Sequence, residues 1–337
     1  MPAPDTDFNP NDPQTLASVF ASFFTDAPYL RHASVAVGVS GGPDSMALIH
    51  ALAHSDYTEK PVHALIVDHG LRAGSHQEAQ ATCESLQSWP QVTPQILRWE
   101  GKKPHSRIQE SARNERYKLL LEKAKELGCA ALFLAHQQDD VAETVLMRLA
   151  RGSGPKGLAG LRPLTTRENM PIARPLLSVP RKTLAAYCQL HKIPFINDPS
   201  NTDPKFERAR LREAIATLPD ADNIQANIAT SARRIMQMDD TLEYLANQIL
   251  QETRKDNLLQ LQPLLAQPEG LSVRVLIKAI EAFRDAPYPV SLESSERLLP
   301  DFLRSRKKIS LALGGVLLTI APKEGLISFK QENATSD

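Results

Sequence analysis

The sequence has very few cysteines and no long apolar run. Its three cysteines, Cys83, Cys129 and Cys188, are far apart and include no C-x-x-C pair, so we expect free thiols in a reducing compartment. No apolar run reaches the roughly 18–20 residues of a membrane helix. The first residues are acidic and proline-rich, without the basic and apolar regions of a secretory signal. Together these absences predict a cytoplasmic chain that does not enter a membrane.

An excess of charge of either sign is also absent. The 337 residues include 39 basic and 39 acidic side chains, which argues against a bulk polyanion binder, so contact with nucleic acid requires local patches. Hydrophobic residues make up 42% of the chain, enough for a core without disulfide or metal staples. At roughly 150 residues per domain, the length predicts two domains, one large and one small.

Apolar, β-branched runs alternate with helical patterns through the first 150 residues. The runs that predict strands lie at 34–39, 62–68, 95–100 and 130–136. The helical patterns lie at 14–24, 46–54, 75–88, 107–127 and 139–150. Strands that are apolar throughout and alternate with helices favour a parallel sheet covered on both faces. We therefore predict a doubly wound α/β fold of the Rossmann-like kind.

The pattern changes after residue 150. A glycine- and proline-rich stretch at 151–163 predicts a mobile loop, and helices are predicted at 179–192 and 205–217. Proline and Asx residues at 218–223 mark the predicted boundary. Helices to about 306 and a hairpin at 309–320 across a Gly-Gly turn come next, with one more strand at 323–329. The predicted organisation is a disordered lead at 1–13, a catalytic domain at 14–218, a smaller, mainly helical domain at 219–330 that ends in a short hairpin or meander, and a tail at 331–337.

One cluster of small residues stands out in a chain with only 15 glycines. It consists of Ser40, Gly41, Gly42, Pro43, Asp44 and Ser45. The cluster follows the first predicted strand and opens a helix, so its backbone N–H groups, its hydroxyls and the helix N-terminus form a phosphate cradle. Neither the Walker A pattern nor G-x-G-x-x-G is present.

The loop S-G-G-P-D-S after V-A-V-G-V resembles the PP-loop of the ATP pyrophosphatase superfamily. Four further segments, taken in order, resemble the tRNA(Ile)-lysidine synthetase family within it. They are V-D-H-G-L-R at 67–72, Q-E-S-A-R-N-E-R-Y at 109–117, A-H-Q-Q-D-D-V-A-E-T at 135–144 with the residues up to Gly154, and N-D-P-S-N-T-D at 197–203 with F-E-R-A-R-L-R at 206–212. The resemblance is dense from about 34 to 217 and weak beyond.

The resemblance implies an RNA-modifying ligase. Such an enzyme uses ATP to attach L-lysine to C2 of the wobble cytidine of the isoleucine tRNA with a CAU anticodon. The cytidine is adenylated first, pyrophosphate leaves from the 40–45 loop, and AMP leaves when the lysine amine attacks. ATP and Mg²⁺ are the implied cofactors, with Asp44 and Asp139 as candidate metal ligands. The implied partners are this tRNA, lysine and, as a further expectation, a second copy of the chain.

Other candidate residues follow from their positions. Asp68 and His69 end the second strand at the ligand edge, where they would meet ATP or simply cap the strand. Arg113 and Arg116 oppose the macrodipole near a helix start, which points to a bound polyanion; a solvated face paired with nearby glutamates is the alternative.

Two adjacent carboxylates, Asp139 and Asp140, open a helix. They are either ordinary caps or catalytic groups that hold Mg²⁺ or take a proton from the lysine amine. Arg151 and Lys156 lie among glycines and could contact RNA or phosphate. Arg208 and Arg212 share one helical face and form the best local patch for tRNA.

Two other functions stay open. Another PP-loop enzyme that adenylates a tRNA base or a small substrate is one; the thiolases of that superfamily commonly need a C-x-x-C pair, and amidotransferases carry a glutaminase domain. A non-enzymatic nucleotide- or RNA-binding protein is the other. The intact loop and the paired aspartates argue against the latter.

Overall fold

The computed structural model describes residues 14–56, 60–71, 74–101, 108–196, 205, 207–284 and 290–332. The predicted lead at 1–13, most of the predicted tail and the N-D-P-S-N-T-D segment lie outside these residues. The chain divides into two compact units, one formed by 1–153 with 157–233, the other by 154–156 with 234–337. The predicted domain boundary at 218/219 lies just before a long helix. The two compact units divide inside that helix.

The first unit contains a six-stranded sheet. Its strands are β1 Val35–Val39, β2 Val62–Asp68, β3 Val92–Arg98, β4 Leu132–Leu134, β5 Leu164–Arg167 and β6 Met170–Ala173. The order is β3-β2-β1-β4-β6-β5, and β5 alone among these strands runs antiparallel to its neighbour. The prediction of a doubly wound, parallel α/β fold is confirmed.

Helices cover both faces of this sheet. In chain order, the helices from Gln14 to Ala216 are α1 Gln14–Asp26, α2 Pro43–Ala53, α3 Ser75–Gln87, α4 Ile108–Glu126, α5 Gln138–Leu149, α6 Pro155–Leu158, α7 Arg181–Leu190 and α8 Glu207–Ala216, with a 3-10 turn at Pro28–Leu30. The first residues of α6 group with the second unit. Alternate residues of a strand point to opposite faces. Accordingly, Val35 and Val37 of β1 join one hydrophobic cluster, whereas Ala36 joins another that includes Leu120 and Leu121 of α4.

The helix α9 Ala221–Thr253 runs across the division between the units. Its first turns belong to the first unit, where Ile228, Ala229 and Ala232 pack against Val141 and Val145 of α5. The prediction placed these turns in the second domain. Their packing explains why the compact units divide inside α9.

The second unit combines the rest of α9 with further helices and an antiparallel sheet. Its elements are β7 Arg254–Lys255, β8 Leu258–Gln260, α10 Leu261–Leu265, α11 Glu269–Phe283, α12 Leu292–Arg304, β9 Ile309–Leu313, β10 Val316–Ala321 and β11 Leu326–Gln331. The sheet order is β7-β8-β11-β10-β9. The predicted hairpin is confirmed, because Gly314 and Gly315 join β9 to β10 with φ angles of 62° and 81°, as a two-residue hairpin turn requires. None of the described helices is both long and apolar enough to span a bilayer.

Two short hairpins differ from the predicted organisation. The β5–β6 pair lies where no strand was predicted, and β7–β8 interrupts a stretch predicted to be helical. Both turns use non-glycine residues with positive φ, Glu168 and Asn169 in one and Asp256 in the other. Such turns give a weak sequence signal because Glu in particular rarely adopts this conformation.

Candidate active site

The loop after β1 takes a shape that only glycine permits. Gly41 has a φ of +80°, and a Cβ at this position would lie 2.6 Å from the Thr82 Oγ1 atom. Gly42 then adopts an extended conformation as the N-cap of α2, and Pro43 is the first helical residue. No side chain caps this helix start, so its first N–H groups remain available to an anion.

Two serines brace the loop. The Ser45 hydroxyl accepts a hydrogen bond from the Ser40 N–H at 3.1 Å and donates to the Gly42 carbonyl at 3.0 Å. The Ser40 hydroxyl lies 3.2 Å from that of Ser45. These bonds hold the loop closed, so the predicted ATP-binding residues from Ser40 to Ser45 form one preorganised turn at the carboxyl edge of the sheet, where open α/β sheets bind ligands.

Asp44 carries a buried carboxylate oxygen, Oδ1, without a hydrogen-bond partner among the described residues. Burial raises the pKa of Asp44 from 3.8 to about 7; the Arg181 charge opposes this rise, and those of Asp140 and Asp139 add to it. A nearby cation stabilises the charged form of a buried carboxylate that lacks a hydrogen-bond partner. The observation fits Mg²⁺, which often takes one or two protein carboxylates together with substrate phosphates.

Among the described residues, no three His, Cys, Asp or Glu side chains form a group that would hold a metal by themselves. A purely protein-made metal cage is therefore not a feature of this part of the chain. Asp44 and Asp139 remain the predicted ligands of a metal that arrives with ATP.

Gln137 and Asp140 form a capping box at the start of α5, on either side of Asp139. The Asp139 N–H donates to the Gln137 side chain at 2.5 Å, and the Gln137 N–H donates to the Asp140 carboxylate at 3.2 Å. The Asp139 carboxylate accepts a hydrogen bond from the Arg181 backbone N–H at 3.3 Å. Burial raises the pKa of Asp139. Asp140 therefore caps the helix, and the charges of both aspartates act on Asp44. Their catalytic role stays a prediction.

One turn further along α5, Glu143 is fully buried. Its Oε1 atom receives the Arg212 guanidinium at 2.8 and 2.7 Å, while its Oε2 atom has no hydrogen-bond partner among the described residues. Arg208 approaches Asp140 at 3.5 Å and Glu143 at 3.8 Å. Arg208 and Arg212, two of the arginines predicted to contact tRNA, thus face the carboxylates of α5. Their pairing joins α8 to the site.

At the end of β2, the Asp68 carboxylate is saturated with hydrogen bonds. It accepts from the Ser75 hydroxyl at 2.7 Å, from the Gly70 N–H at 3.1 Å and from His76 at 3.1 Å. Burial acts to raise the pKa of Asp68, but these hydrogen bonds outweigh it and lower the pKa. His69 accepts the Leu71 N–H at 3.0 Å. The described contacts of this pair are those of a strand-end cap, and contact with ATP stays a prediction.

The predicted polyanion site on α4 is exposed. Arg113 is accessible to solvent, and its guanidinium lies 5.4 Å from the centre of the Tyr117 ring. The Arg116 guanidinium is more enclosed than the exposed residue as a whole, since burial lowers the pKa of Arg116 and the Arg113 charge acts in the same direction. Burial lowers the pKa of His136 to about 3, with Arg174, Arg113, Arg116 and Arg208 contributing in the same direction. His136 is therefore neutral at physiological pH and lies within a positive field made by these arginines.

The remaining predicted contacts lie around α6. Arg151 is exposed and forms an ion pair with Glu207 at 2.6 Å. Lys156 is exposed on α6, within the segment 154–156 that groups with the second unit. Arg148 donates to the carbonyls of Gly157 and Gly160 at 2.7 and 2.9 Å. These contacts hold residues 157–160 of the stretch at 151–163, and its mobility stays a prediction.

Sequence reasoning did not single out Arg181, whose charge acts on both Asp44 and Asp139. It lies 42 residues from Asp139 along the chain. The only local signal was a pair of cations, Arg181 and Lys182, in the first turn of a helix, where positive charge is unfavourable.

Comparison with known proteins identifies the class of protein to which this fold and site belong. A family model described as a PP-loop domain matches residues 13–218. In fold, the chain is similar to a U34-tRNA thiolase, NcsA, from Methanococcus maripaludis, with a TM-score of 0.50 and 18% identity, covering 66% of this chain and 80% of that one. The fold and the 40–45 loop therefore define a PP-loop protein of the ATP-using kind.

The curated relatives specify the family. The chain is 38% identical over 299 residues to a tRNA(Ile)-lysidine synthase from Methylobacterium nodulans, covering 85% of this chain and 87% of the relative. It is 34% identical over 322 residues to one from Bradyrhizobium sp., covering 88% and 89% respectively. The chain belongs to the tRNA(Ile)-lysidine synthase family, as the sequence motifs predicted.

Proposed function

We propose that this chain uses ATP to join L-lysine to C2 of the wobble cytidine in the CAU-anticodon isoleucine tRNA. The observation that carries the proposal is the meeting of the S-G-G-P-D-S loop with the Asp139, Asp140 and Glu143 carboxylates at one edge of the sheet. The loop would bind the triphosphate of ATP, and the carboxylates would bind the lysine amine. The names of the relatives supply the particular RNA and amino acid.

In the first step, the cytidine C2 oxygen attacks the α-phosphate of ATP, and pyrophosphate leaves. The N–H groups of the 40–45 loop and the hydroxyls of Ser40 and Ser45 would hold the leaving pyrophosphate. Asp44, joined by Asp139, would bind Mg²⁺, which neutralises phosphate charge when it is bound. Arg113 would stabilise the negative charge that develops on the phosphates.

In the second step, the lysine amine attacks C2, the C2–O bond breaks, and AMP leaves. The attacking amine must lose a proton to become neutral, and Asp139 or Asp140 would accept it. The pKa of Asp139 is raised by burial, which makes it a better base than an exposed aspartate. Pairing with Arg208 holds Asp140 in place beside it.

The tRNA would contact positive side chains on several elements. Arg116 on α4, Arg151, Lys156 on α6, and the Arg208 and Arg212 pair on α8 are the candidates. We assign residues 14–218 to catalysis and 219–330 to tRNA binding, and we include a homodimer and a cytoplasmic location in the proposal.

The experiment is mass spectrometry of tRNA(Ile) after incubation with the chain, ATP and isotope-labelled lysine. We expect a mass increase of one lysine less one water, located on the anticodon fragment, together with one AMP and one pyrophosphate per modification. Omission of lysine and the Asp44→Ala variant are the controls. AMP release that does not depend on lysine would instead favour another PP-loop enzyme, and a complete lack of turnover would favour a binding protein.

A further inference from the structure

A cleft of about 310 Å³ opens beside Asp139 within the first unit. Its walls come from the starts of three helices, α5, α7 and α9. Asp139 forms one side, Arg181 and Lys182 form the second, and Asn223 and Gln225 form the third. Gln138 and Asp222 complete the polar lining, so the cleft combines two carboxylates, two cations and three amides.

The two cations of the cleft differ in their partners. Lys182 forms an ion pair with Asp222 at 2.6 Å. The Arg181 guanidinium has no ion pair or hydrogen bond with any described residue, although its backbone N–H is bonded to Asp139. Its charge is half-buried at a helix start, where positive charge is disfavoured. Asp44 and Asp139 interact with this charge electrostatically but do not use the guanidinium N–H groups. Those donors are available to an oxyanion, and a phosphate matches the geometry of a guanidinium well.

Asn223 and Gln225 form the amide wall of the cleft, which can hydrogen-bond a neutral polar group. The Asn223 side-chain N–H group donates to Asp220 at 2.8 Å, and its carbonyl oxygen has no partner among the described residues. The Gln225 side chain makes no hydrogen bond within the described part of the chain. Amides of this kind both donate and accept, which suits them to the hydrogen-bonding edge of an unpaired base.

We infer that this cleft holds one nucleotide of the RNA substrate next to the reacting cytidine, with its phosphate at Arg181 and its base against Asn223 and Gln225. The inference rests on the proposed function. A volume of about 310 Å³ lies at the small end of ligand pockets, so it suits one nucleotide unit rather than a duplex. Free lysine could also meet Arg181 through its carboxylate, and the KM for lysine separates that outcome from RNA binding.

The test measures binding of a CAU-anticodon tRNA(Ile) transcript to the full chain over a range of salt. Arg181→Ala should weaken binding about tenfold and reduce the log–log salt slope by about 0.7, with partial recovery in Arg181→Lys. A double Asn223→Ala, Gln225→Ala variant should weaken binding without changing the slope. The KM for ATP should stay unchanged in the amide variant. Lys125→Ala, which removes one cation at the far end of α4, is the control for net charge.

Unchanged RNA affinity in either the Arg181→Ala or the amide variant overturns the assignment, and so does an effect confined to the KM for lysine. The amide variant keeps the test decisive if Arg181→Ala folds poorly, because Asn223 is exposed and Gln225 only partly buried. Lysine incorporation by the unaltered chain is measured in parallel. Its absence would refute the proposed function, whereas incorporation with unchanged RNA affinity in the variants would refute only the nucleotide cleft.

Discussion

Replacement of Asp44 by asparagine should abolish turnover and yet stabilise the free chain at alkaline pH. Asparagine has nearly the shape of aspartate but cannot carry the charge that burial disfavours at this position. Without a charge it also cannot join Mg²⁺ to pyrophosphate. A loss of function coupled to a gain in stability would separate a catalytic carboxylate from one that merely holds the loop together.

The magnitude follows from the pKa. The rise from 3.8 to about 7 corresponds to a ceiling of about 4 kcal/mol at about 1.36 kcal/mol per pH unit. Between these two pKa values the folded state binds more protons than the unfolded state, so the free energy of unfolding falls as pH rises. Because Asp44 keeps some contact with solvent, we expect about 2 kcal/mol in favour of Asp44→Asn at about pH 8 and less than half of that at about pH 5.

The assay is urea unfolding at these two pH values, with a chelator present to exclude divalent metals. Asp68→Asn is the matched control, because hydrogen bonds lower the pKa of Asp68 in spite of its burial. That carboxylate contributes stability above its unfolded-state pKa and loses it as pH falls, so Asp68→Asn should destabilise the chain at about pH 8. Equal stability of Asp44→Asn and the unaltered chain at about pH 8 would refute the burial argument, and retained turnover would refute the catalytic one.

Three further variants test the site. Arg113→Ala should lower turnover about 100-fold, the scale of one electrostatic stabiliser, and unchanged turnover with an altered melting temperature would make Arg113 structural. Arg212→Ala should lower the free energy of unfolding by about 3 kcal/mol, because it leaves the fully buried Glu143 charge with only the more distant Arg208 as a partner; a second change, Glu143→Gln, should recover part of this in the same urea assay, and lack of recovery would contradict the pairing. Gly41→Ala should abolish ATP binding measured by calorimetry, because its Cβ would meet Thr82 at a positive φ, and normal binding would show that the loop tolerates another shape.

The sequence was most informative where local patterns and the global fold agree. The β-branched run of β1 and the small residues after it located the 40–45 loop at the sheet edge, because a buried parallel strand leaves its carboxyl end at the ligand side. The start of α5 was equally visible. Asp139 and Asp140 suit a helix N-terminus, and the structure adds Gln137, which forms the capping box with Asp140.

Contacts that depend on tertiary packing could not be predicted from the sequence. The sequence alone does not show that α7 brings Arg181 to Asp139, because that approach depends on bonds such as the one from the Gln138 N–H to the Val179 carbonyl at 3.0 Å. The β5–β6 hairpin was missed because its strands are short and its first strand is rich in threonine, without a continuous apolar run. Strands of this kind are defined by their neighbours more than by their own composition.

Some arginines of this chain form ion pairs with described carboxylates and others do not, and this difference affects how each would contribute to RNA binding. Arg208 and Arg212 share the charges of Asp140 and Glu143, so little of their charge is left to release counterions from RNA. That they contact tRNA stays a prediction, but the expected change in salt slope on their removal is small. Arg116 and Arg181 have no ion pair with a described carboxylate. In a chain of balanced charge, removal of Arg116 or Arg181 should therefore lower the salt slope of RNA binding more than removal of Arg208 or Arg212.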